Sequence, residues 1–435
     1  MYWAALLLDP PPDLASRHDR LQDIAVWALQ WTPRVAIVDE AVCLEVEASL
    51  RLFAGKRALR ERIRMEGAEL GVAIVSWAPT TLAALALART GVENGFARPL
   101  QETLDPLPMA SLTAVGPHRA TLARLGCKTL GDIRKLPRGG ISRRFDKELL
   151  AALDEAYGVR PAVHRWVTLP ETFGARLELM SRVELAPALM FGARRLVLQM
   201  CGWLAARHSG TRAFTLKWAH DAMRARSAGD GGELTIRTSE YTRSTEHLCR
   251  LLNEHLAKTR LLAPVKDLEL LATDVQSLKE ASGTLLADTV RQGETLREVL
   301  ERIAARLGPE NVLRPVLTQD HRLEWMQFWL PAAEKQPRQA SCIDMPQPAW
   351  VLPEPLRLAT RGHRPLYQGT LHLLAGPHRV EGGWWHRVET GDGPDTRHVQ
   401  RDYWVALSEH AGVLWVFQER LANEETAWYL HGVFG

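Results

Sequence analysis

Cysteine is scarce in this 435-residue chain: there are only five, at positions 43, 127, 201, 249 and 342. Their spacing matches no metal-binding pattern, and the odd count argues against a disulfide framework. No apolar run reaches the length of a membrane span. The first residues, MYWAALLLDPPPD, lack the basic start and the small-residue cleavage site of a signal peptide. We therefore expect a first strand at the N-terminus, no membrane partner, and a protein of the reducing cytoplasm.

An overall excess of one charge is also lacking, since 54 Lys and Arg face 51 Asp and Glu. The distribution is uneven. Residues 111–170 hold 11 basic against 5 acidic side chains and residues 171–275 hold 15 against 12, whereas residues 1–110 hold 11 against 14. A basic middle favours a polyanionic partner held there. A merely solvated basic surface is the alternative.

The stretch 33–55 (PRVAIVDEAVCLEVEASLRLFAG) has two short β-branched runs, at 35–38 and 42–46, around the acidic pair Asp39 and Glu40. Such runs predict two paired strands joined by a hairpin or a bulged connection. Glu45 and Glu47 alternate with the apolar Leu44 and Val46 at the end of the second run, which indicates one acidic strand face. Carboxylates at strand ends suit Mg²⁺, because hard cations take oxygen ligands. An exposed acidic turn is the alternative, and these residues alone favour it.

Strand and helix patterns alternate along the first hundred residues. The predicted order is a strand at 2–8, a helix at 20–31, the hairpin, a helix at 56–69, a strand at 72–77 and a helix at 80–89. This order is that of a split βαβ, palm-like sheet.

Residues 107–160 are predicted to be helical, with short loops. The segments 112–126 (LTAVGPHRATLARLG) and 127–137 (CKTLGDIRKLP) give an apolar-Gly-Pro turn, a basic helix with Leu122 and Leu125 inward, and the start of another helix. This is the pattern of a helix-hairpin-helix, in which a Gly turn aims free N–H groups at a phosphate and basic side chains add affinity. An ordinary turn between two helices is the alternative. The predicted DNA-binding residues are Val115, Gly116, His118, Arg119, Lys128, Thr129, Arg143 and Arg144.

A second α/β module is predicted at 176–275, in the order β-α-β-β-α-β, after a Pro-punctuated linker. A four-stranded sheet with both helices on one face leaves the other face free for a duplex backbone. Four basic residues are candidates for that face: Arg212, Lys217, Arg237 and Arg243. A solvated face is an equally good interpretation.

Tryptophan is concentrated near the C-terminus, where eight of fifteen lie after residue 320. Six prolines between 331 and 355 indicate a linker or an extended partner-binding segment, and 364–435 is predicted to be β-rich. Aromatic residues at this density serve a small β core or a protein interface. The candidate partner-binding residues are Gln327, Phe328, Trp329, Leu330, Trp384, Trp385 and Tyr403.

Several segments resemble known proteins. Those similar to the Y-family translesion DNA polymerases are LEVEASLRLFAGK at 44–56, the whole of 112–137, and ISRRFDKELLAALD at 141–154. Those that resemble the C-terminal region of ImuB-type proteins, Y-family-like members of a bacterial DNA-damage-induced mutagenesis system, are LPEP at 352–355, LLAGP at 373–377, GWW at 383–385, RDY at 401–403 and LHGVF at 430–434.

The resemblance implies an α+β multidomain fold. Its parts would be a palm-like α/β sheet at 1–106 without fingers, a helix-hairpin-helix thumb at 107–160, a linker at 161–175, a βαββαβ little-finger module at 176–290, a helix and Pro-rich linker at 291–355, and a β-rich C-terminal partner-binding domain at 356–435.

Active Y-family members carry a carboxylate that closes the first strand and a later Asp-Glu pair, to which Asp9, Asp39 and Glu40 correspond. Here prolines follow Asp9 in place of aromatics, and the pair is one residue out of step with the better-matched 44–55. A one-residue slip turns side chains to the opposite face unless a bulge absorbs it. Only about thirty residues separate Asp9 from Asp39, too few for the fingers that position the triphosphate. We therefore expect no catalytic residue, no bound metal and no cofactor. If the chain is active, these three acids would bind Mg²⁺.

The expected function is that of a non-catalytic, DNA-binding platform for error-prone repair and translesion synthesis. The resemblance implies primer-template or damaged DNA, a RecA-like accessory protein, an error-prone replicative-type polymerase and the sliding clamp as partners. The segment from Gln327 to Leu330 is the nearest approach to a clamp-binding peptide. Two alternatives stay open: an active, low-fidelity, Mg²⁺-dependent translesion polymerase, and a protein-interaction module that does not bind DNA.

Overall fold

The computed structural model describes residues 1–9, 14–221, 228–278, 295–318, 320, 322–332, 334, 347–390, 393–396, 398–420 and 426–435. The chain divides into two compact units, Met1–Leu307 and Gly308–Gly435. Among these residues, no helix is both long and apolar enough to cross a membrane. The fold is mixed α/β with a β-rich C-terminal unit, as the sequence predicts.

A four-stranded antiparallel sheet opens the first unit. Its strands are β1 (Trp3–Leu8), β2 (Val35–Val38), β3 (Ala41–Glu45) and β4 (Val72–Ala78), in the order β2-β3-β1-β4. Its helices are α1 (Leu14–Ala28), α2 (Lys56–Glu69) and α3 (Thr81–Arg89). Alternate side chains along the strands pack against α1 and α2, and the side chains between them pack against α3. Both faces of the sheet are therefore buried. The predicted order of strands and helices is confirmed.

Short helices follow and share one buried core with α3. They are α4 (Leu100–Leu104), α5 (Arg119–Arg124), α6 (Leu130–Lys135), α7 (Arg138–Arg144) and α8 (Lys147–Ala156). Leu122 is fully buried among them, but the prediction that Leu125 also faces inward is wrong, since Leu125 is 49% exposed. The reason is that α5 ends at Arg124 and the chain turns away through Gly126, whose φ is 86°.

A second four-stranded sheet completes the first unit, in the predicted β-α-β-β-α-β order. Its elements are β5 (Gly174–Val183), α9 (Met190–Ala206), β6 (Ser209–His220), β7 (Gly231–Thr242), α10 (Thr245–Leu256) and β8 (Val265–Ser277), with strand order β5-β8-β6-β7. Both helices pack on the same face, over side chains such as Phe214, Ile236 and Leu268. The helix α11 (Leu296–Leu307) packs against α10.

The two sheets of the first unit are joined by direct contacts. Helix α9 lies on α1, where a Cβ at Gly202 would stand 2.7 Å from Trp27 Cδ1. Arg194 binds Glu69 through two hydrogen bonds of 2.7 and 3.0 Å. The segment 161–175, expected to be a linker, is fastened to the first sheet: Val167 donates its N–H to the Val35 carbonyl at 2.8 Å.

The second unit is almost entirely β. Its strands are β9 (Leu313–Leu317), β10 (Gln327–Pro331), β11 (Trp350–Arg361), β12 (Arg364–Leu366), β13 (His372–Gly382), β14 (Arg387–Thr390), β15 (Gly393–Thr396), β16 (Val399–Ser408), β17 (Gly412–Arg420) and β18 (Thr426–Val433). Six of them form one antiparallel sheet in the order β12-β11-β18-β17-β16-β13. The described part of the predicted Pro-rich linker is not extended coil throughout, because β9 pairs with β10 and β11 starts at Trp350.

Candidate functional site

The acidic pair lies in a two-residue turn between β2 and β3. Val38 pairs with Ala41, so Asp39 and Glu40 alone form the turn, and Asp39 adopts a φ of 51°. The predicted hairpin is therefore confirmed, and its turn has only two residues because Ala41 already belongs to β3. On β1, Leu7 also pairs with Ala41, which brings the end of that strand and Asp9 to the same end of the sheet.

Glu45 does not contribute to an acidic strand face as predicted. Its side chain is 3% exposed and accepts a hydrogen bond from Arg34 Nη1 at 3.0 Å and one from the Glu47 N–H at 3.0 Å. The alternation of acidic and apolar residues misleads here because helices cover both faces of the sheet. Glu47 itself starts a short 3-10 turn beyond β3.

Arg89, the last residue of α3, holds the acidic turn. Its Nε and Nη2 donate to the two carboxylate oxygens of Glu40 at 2.6 and 2.7 Å, and Nη2 also donates to Asp39 Oδ2 at 3.0 Å. The same guanidinium reaches the helical region, through the Ser111 carbonyl at 2.7 Å and Thr113 Oγ1 at 2.8 Å. Thr113 Oγ1 in turn donates to Asp39 Oδ2 at 2.5 Å. One cation thus joins the hairpin, α3 and the chain that leads into α5.

The electrostatics of the turn follow from this contact. Hydrogen bonds from Arg89 lower the pKa of Glu40 below its usual value, against the opposing effect of burial. Burial alone would lower the pKa of Arg89, but the bonds to Glu40 and Asp39 outweigh it and raise that pKa. Arg17 of α1 lines the same shallow hollow as the pair and lowers the pKa of Glu40 further. Glu40 is therefore ionised, and both carboxyl groups already have Arg89 as a partner.

Metal binding needs several oxygen, nitrogen or sulfur ligands in one place. Within the described part of the chain, no group of three or more His, Cys, Asp and Glu side chains could hold a metal ion. Asp9 lies at the same end of the sheet as the pair. Its described hydrogen bonds use the backbone: its N–H donates to the Gly71 carbonyl at 3.2 Å, and its carbonyl accepts from Arg20 at 3.3 Å. The arrangement suits an ion-pair lock better than a two-metal site.

In the predicted helix-hairpin-helix, several polar groups already have partners. Val115 is fully buried and donates its N–H to the Leu112 carbonyl, and His118 Nε2 lies 2.6 Å from an oxygen of Asp146. The N–H groups of Lys128 and Thr129 both donate to the Asp132 carboxylate, at 3.0 and 2.9 Å. The start of α6 is thus closed by its own capping box rather than left open for a phosphate.

Gly116 does not form the tight glycine turn that the sequence predicts. It lies in the 3-10 turn Thr113–His118, with no positive φ, and a Cβ built on it would meet no atom within 4 Å. Any small residue would fit the same backbone. The side chains around this turn remain the stronger candidates for contact with an anion.

Unpaired cations do cluster in this region. Four of the predicted DNA-binding side chains are exposed and form no ion pair with any described residue: Arg119, Lys128, Arg143 and Arg144. Arg143 and Arg144 occupy the last turn of α7, where the negative end of the helix dipole stabilises a positive charge. Arg138 and Arg134, by contrast, are bound to Asp154 and Asp105 at 2.7 Å.

The open face of the second sheet is less basic than predicted. Arg212 binds Asp274 at 3.1 Å and packs over the Tyr241 ring, while Lys217 lies 3.8 Å from Glu233. Arg176 and Asp267 form a further pair on this face, at 3.3 Å. Arg237 is exposed, and no ion pair is described for it; Arg243 has a partner. Most cations of this face would have to exchange a carboxylate for a phosphate to bind DNA.

The candidate partner-binding residues of the tail fall into two groups. Trp329, Trp384 and Trp385 are 59%, 70% and 61% exposed. Phe328 is 39% exposed, and it lies with Gln327, Trp329 and Leu330 in β10 rather than in a free peptide. Tyr403 is a core residue: it is 1% exposed, and its hydroxyl lies 2.7 Å from His431 Nδ1.

Arg89 is the functional candidate that sequence reasoning missed. It lies about fifty residues from the acids that it binds, so no local pattern connects them. The available signal is its position as the single basic residue of α3 (TLAALALAR), at the C-terminal end where the helix dipole favours a cation.

Comparison with known proteins gives consistent results. No family model matches the chain. Protein ImuB of Caulobacter vibrioides is 26% identical over 445 residues, which cover 98% of this chain and 95% of that protein, in both strain NA1000 / CB15N and strain ATCC 19089. DNA polymerase IV of Desulfatibacillum aliphaticivorans is 35% identical over 163 residues, 34% of this chain and 41% of that protein.

Solved structures show a weaker likeness. An insertion ternary complex of Dbh DNA polymerase covers 60% of this chain and 77% of its own at 14% identity and a TM-score of 0.30. The DinB structure from Sulfolobus solfataricus covers 62% and 80%, at 13% identity and a TM-score of 0.29. TM-scores of this size support no inference by themselves. The sequence matches nevertheless confirm the resemblance: along nearly its whole length, this chain is similar to ImuB, and over a third of its length it is similar to a Y-family DNA polymerase.

Proposed function

We propose that this chain is a non-catalytic, Y-family-like platform in DNA damage tolerance, which binds primer-template DNA and recruits an error-prone polymerase. The first sheet would be a palm without fingers, residues 107–160 the thumb, and the second sheet a little-finger module. The observation that carries the proposal is the Arg89 lock. A guanidinium is held by both acids, and if they correspond to the acid pair of the polymerases, it would occupy the position where a polymerase needs two metal ions to meet the nucleotide.

DNA binding is proposed for the unpaired cations of the helical region, Arg119, Lys128, Arg143 and Arg144. Exposed side chains without carboxylate partners give up no ion pair when they meet a phosphate, so they contribute most to sequence-independent affinity. Arg237 on the second sheet would add to them. Arg212 and Lys217 would contribute less, because each must first leave an acidic neighbour.

Partner recruitment is proposed for the second unit. Its exposed tryptophans, Trp329, Trp384 and Trp385, are the residue type that dominates protein interfaces. A RecA-like accessory protein and an error-prone replicative-type polymerase are the partners that the resemblance to ImuB suggests, with the sliding clamp as a further one.

Primer extension tests the non-catalytic proposal. The purified chain is incubated with a labelled primer-template, all four deoxynucleotides and Mg²⁺ or Mn²⁺. We expect no incorporation above the level of a variant carrying Asp39→Ala with Glu40→Ala. Incorporation by the wild-type chain that this double variant loses would instead establish a translesion polymerase.

Fluorescence anisotropy with the same primer-template tests DNA binding. We expect the affinity to fall steeply with salt, with a slope that reports the number of phosphate contacts. Weak binding without salt dependence would favour a protein-interaction module that does not bind DNA.

A further inference from the structure

A basic groove runs along the free edge of the first sheet, on the β4 side. It has a volume of about 830 Å³ and lies between the edge strand β4 and helix α2. Its basic residues are Lys56, Arg57, Arg60 and Arg64, and its acidic ones are Glu61 and Glu93. The groove is distant in sequence from the helical region proposed to bind DNA, and none of its residues belongs to that site.

The edge of β4 already pairs with another segment over part of its length. Trp77 donates its N–H to the Glu93 carbonyl at 2.8 Å, and the Gly95 N–H donates to the Trp77 carbonyl at 2.7 Å. Strand residues two apart point their backbone groups the same way, so the N–H and C=O of Val75 also point away from β1. No backbone segment in the described part of the chain pairs with that stretch of the edge. The ladder begun by 93–95 therefore stops while the edge continues.

The cations of α2 follow this open edge with a matching repeat. Lys56, Arg60 and Arg64 are four residues apart and form one row beside the inward-facing Leu59 and Ile63. Arg64 is bound to Glu61 at 2.7 Å and Arg60 to Asn94 at 3.3 Å, so each would exchange that partner for a ligand carboxylate. A helix rises about 6 Å in four residues, while side chains on one face of a strand repeat about every 6.7 Å. A strand paired with β4 would thus bring every second side chain to a cation. The Arg60 Nε atom is buried and lacks a hydrogen-bond partner in the described structure.

We propose that this groove binds an extended acidic peptide segment of a partner protein, which adds a strand to β4 and places alternate carboxylates against the cations of α2. This is β-strand addition, in which backbone bonds give affinity and side-chain positions give specificity. The open edge from Val72 to Val75 is about 10 Å long, enough for three or four residues of the peptide. Docking here does not depend on DNA binding elsewhere in the chain.

A single-stranded nucleic acid fits the groove less well. Bases bind such sites by stacking on open aromatic faces. Tyr2 and Trp77 are each 4% exposed, and Lys56 and Arg60 already lie over the Tyr2 ring at 4.9 and 5.4 Å. Phe96, which is 39% exposed, stacks on Tyr2 at 4.8 Å and offers one free face. A sugar-phosphate backbone also lacks the alternating N–H and C=O groups that would continue the β4 ladder.

The test uses the full chain and a labelled octapeptide that alternates glutamate with valine or threonine, followed by fluorescence anisotropy. Three comparison probes are measured: the same peptide with alternate amides N-methylated, a lysine-for-glutamate version, and a twelve-nucleotide oligo-dT. We expect the acidic peptide to bind and the lysine peptide and the oligo-dT not to bind. N-methylation should lower the affinity of the acidic peptide at least about tenfold, because the methyl groups replace the N–H donors that pair with β4.

Two protein variants locate the binding. Lys56→Glu with Arg64→Glu should weaken the acidic peptide about tenfold or more, since both side chains are exposed and reversal adds repulsion. Val75→Pro removes the outward-facing N–H of β4 and should lower the affinity for the acidic peptide about fivefold, while Val75→Ala should change that affinity less than twofold. The proline variant should still fold, because an edge strand tolerates proline where its N–H faces away from the sheet.

Several results would overturn the proposal. One is the absence of binding at millimolar peptide. Another is equal affinity for the N-methylated peptide, which keeps the charges but cannot form the ladder and does not depend on how any protein variant folds. A third is binding of oligo-dT that the Lys56 and Arg64 reversal abolishes while the peptide stays unbound, since this would make the groove a nucleic-acid site.

Discussion

Replacement of Arg89 by methionine should destabilise the first unit through the acids that it leaves behind. The Arg89 side chain is 16% exposed and makes hydrogen bonds to Glu40, Asp39, Ser111 and Thr113. Removal of one partner from a fully buried ion pair costs about 3–5 kcal/mol. Because Glu40 and Asp39 keep 24% and 34% of their side-chain exposure, water can replace part of the loss, and we expect about 2–3 kcal/mol.

Urea denaturation followed by circular dichroism and tryptophan fluorescence measures this change. The matched control combines Arg89→Met with Asp39→Asn and Glu40→Gln. Neutral amides leave no uncompensated charge, so we expect this triple variant to be more stable than Arg89→Met alone. Arg89→Lys should fall between Arg89→Met and the wild type, because an ammonium group cannot make the paired bonds of a guanidinium.

The pH dependence gives an independent check of the same lock. Arg89 holds the pKa of Glu40 below its ordinary value of 4.5. A carboxyl group whose folded pKa is depressed contributes stability above its unfolded pKa and loses it as pH falls through the folded value. The stability difference between wild type and Arg89→Met should therefore be full at pH 6 and shrink towards pH 3. A difference below about 0.5 kcal/mol at pH 6, or a triple variant as unstable as Arg89→Met, would refute the role assigned to Arg89.

Three further predictions concern other parts of the chain. Arg143→Glu with Arg144→Glu should weaken primer-template binding and lower the slope of log affinity against log salt concentration by about two. Lys266→Glu is the control, because Lys266 is already paired with Glu178 at 2.9 Å, and it should change the slope little. Anisotropy at several salt concentrations measures both, and equal slopes for the double variant and the wild type would exclude α7 from the interface. Burial, with Asp19 nearby, raises the pKa of Asp23 to about 7, so this acid stabilises the fold most when protonated and stability is lost as pH rises from about 4 to 7. Asp23→Asn should therefore raise the free energy of unfolding at pH 8 by about 1–3 kcal/mol and change it little at pH 4, and an equal effect at both pH values would contradict the shift. Trp384→Ser with Trp385→Ser should abolish co-purification of the proposed RecA-like or polymerase partner without changing Tm, and an unchanged pull-down would exclude these tryptophans from the interface. Tyr403→Phe should instead lower the free energy of unfolding of the second unit by about 1–2 kcal/mol, because it loses the hydrogen bond to His431.

Local periodicity predicted the elements of the first unit well. The helix expected at 56–69 is observed as Lys56–Glu69, and the second sheet has the expected β-α-β-β-α-β order. These elements follow from patterns of apolar residues over ten to fifteen positions, and such patterns are contained in the sequence itself.

The errors arise where distant residues decide the outcome. Glu45 alternates with apolar neighbours as an exposed residue would, yet it is buried because helices from elsewhere in the chain cover both sheet faces. The charges of Arg212 and Lys217 looked available, but their acidic partners Asp274 and Glu233 lie on neighbouring strands. The ion pairs of Arg89 with Glu40 and Asp39 could not be predicted for the same reason, because about fifty residues separate Arg89 from these acids. Sequence identified which residues carry charge, and only the fold shows which charges are already paired.

The contact between Gly202 of α9 and Trp27 of α1 bears on how the helical region, which packs on the first sheet, and the second sheet would meet one duplex. A Cβ at position 202 would stand 2.7 Å from Trp27 and 3.0 Å from Gln30, so a methyl group there would push α9 away from α1. Phosphates along one DNA strand repeat about every 3.4 Å, so a displacement of about 1 Å is a sizeable fraction of one nucleotide step. In the proposed complex, the glycine at position 202 would therefore help to set the spacing at which the two basic surfaces meet successive phosphates.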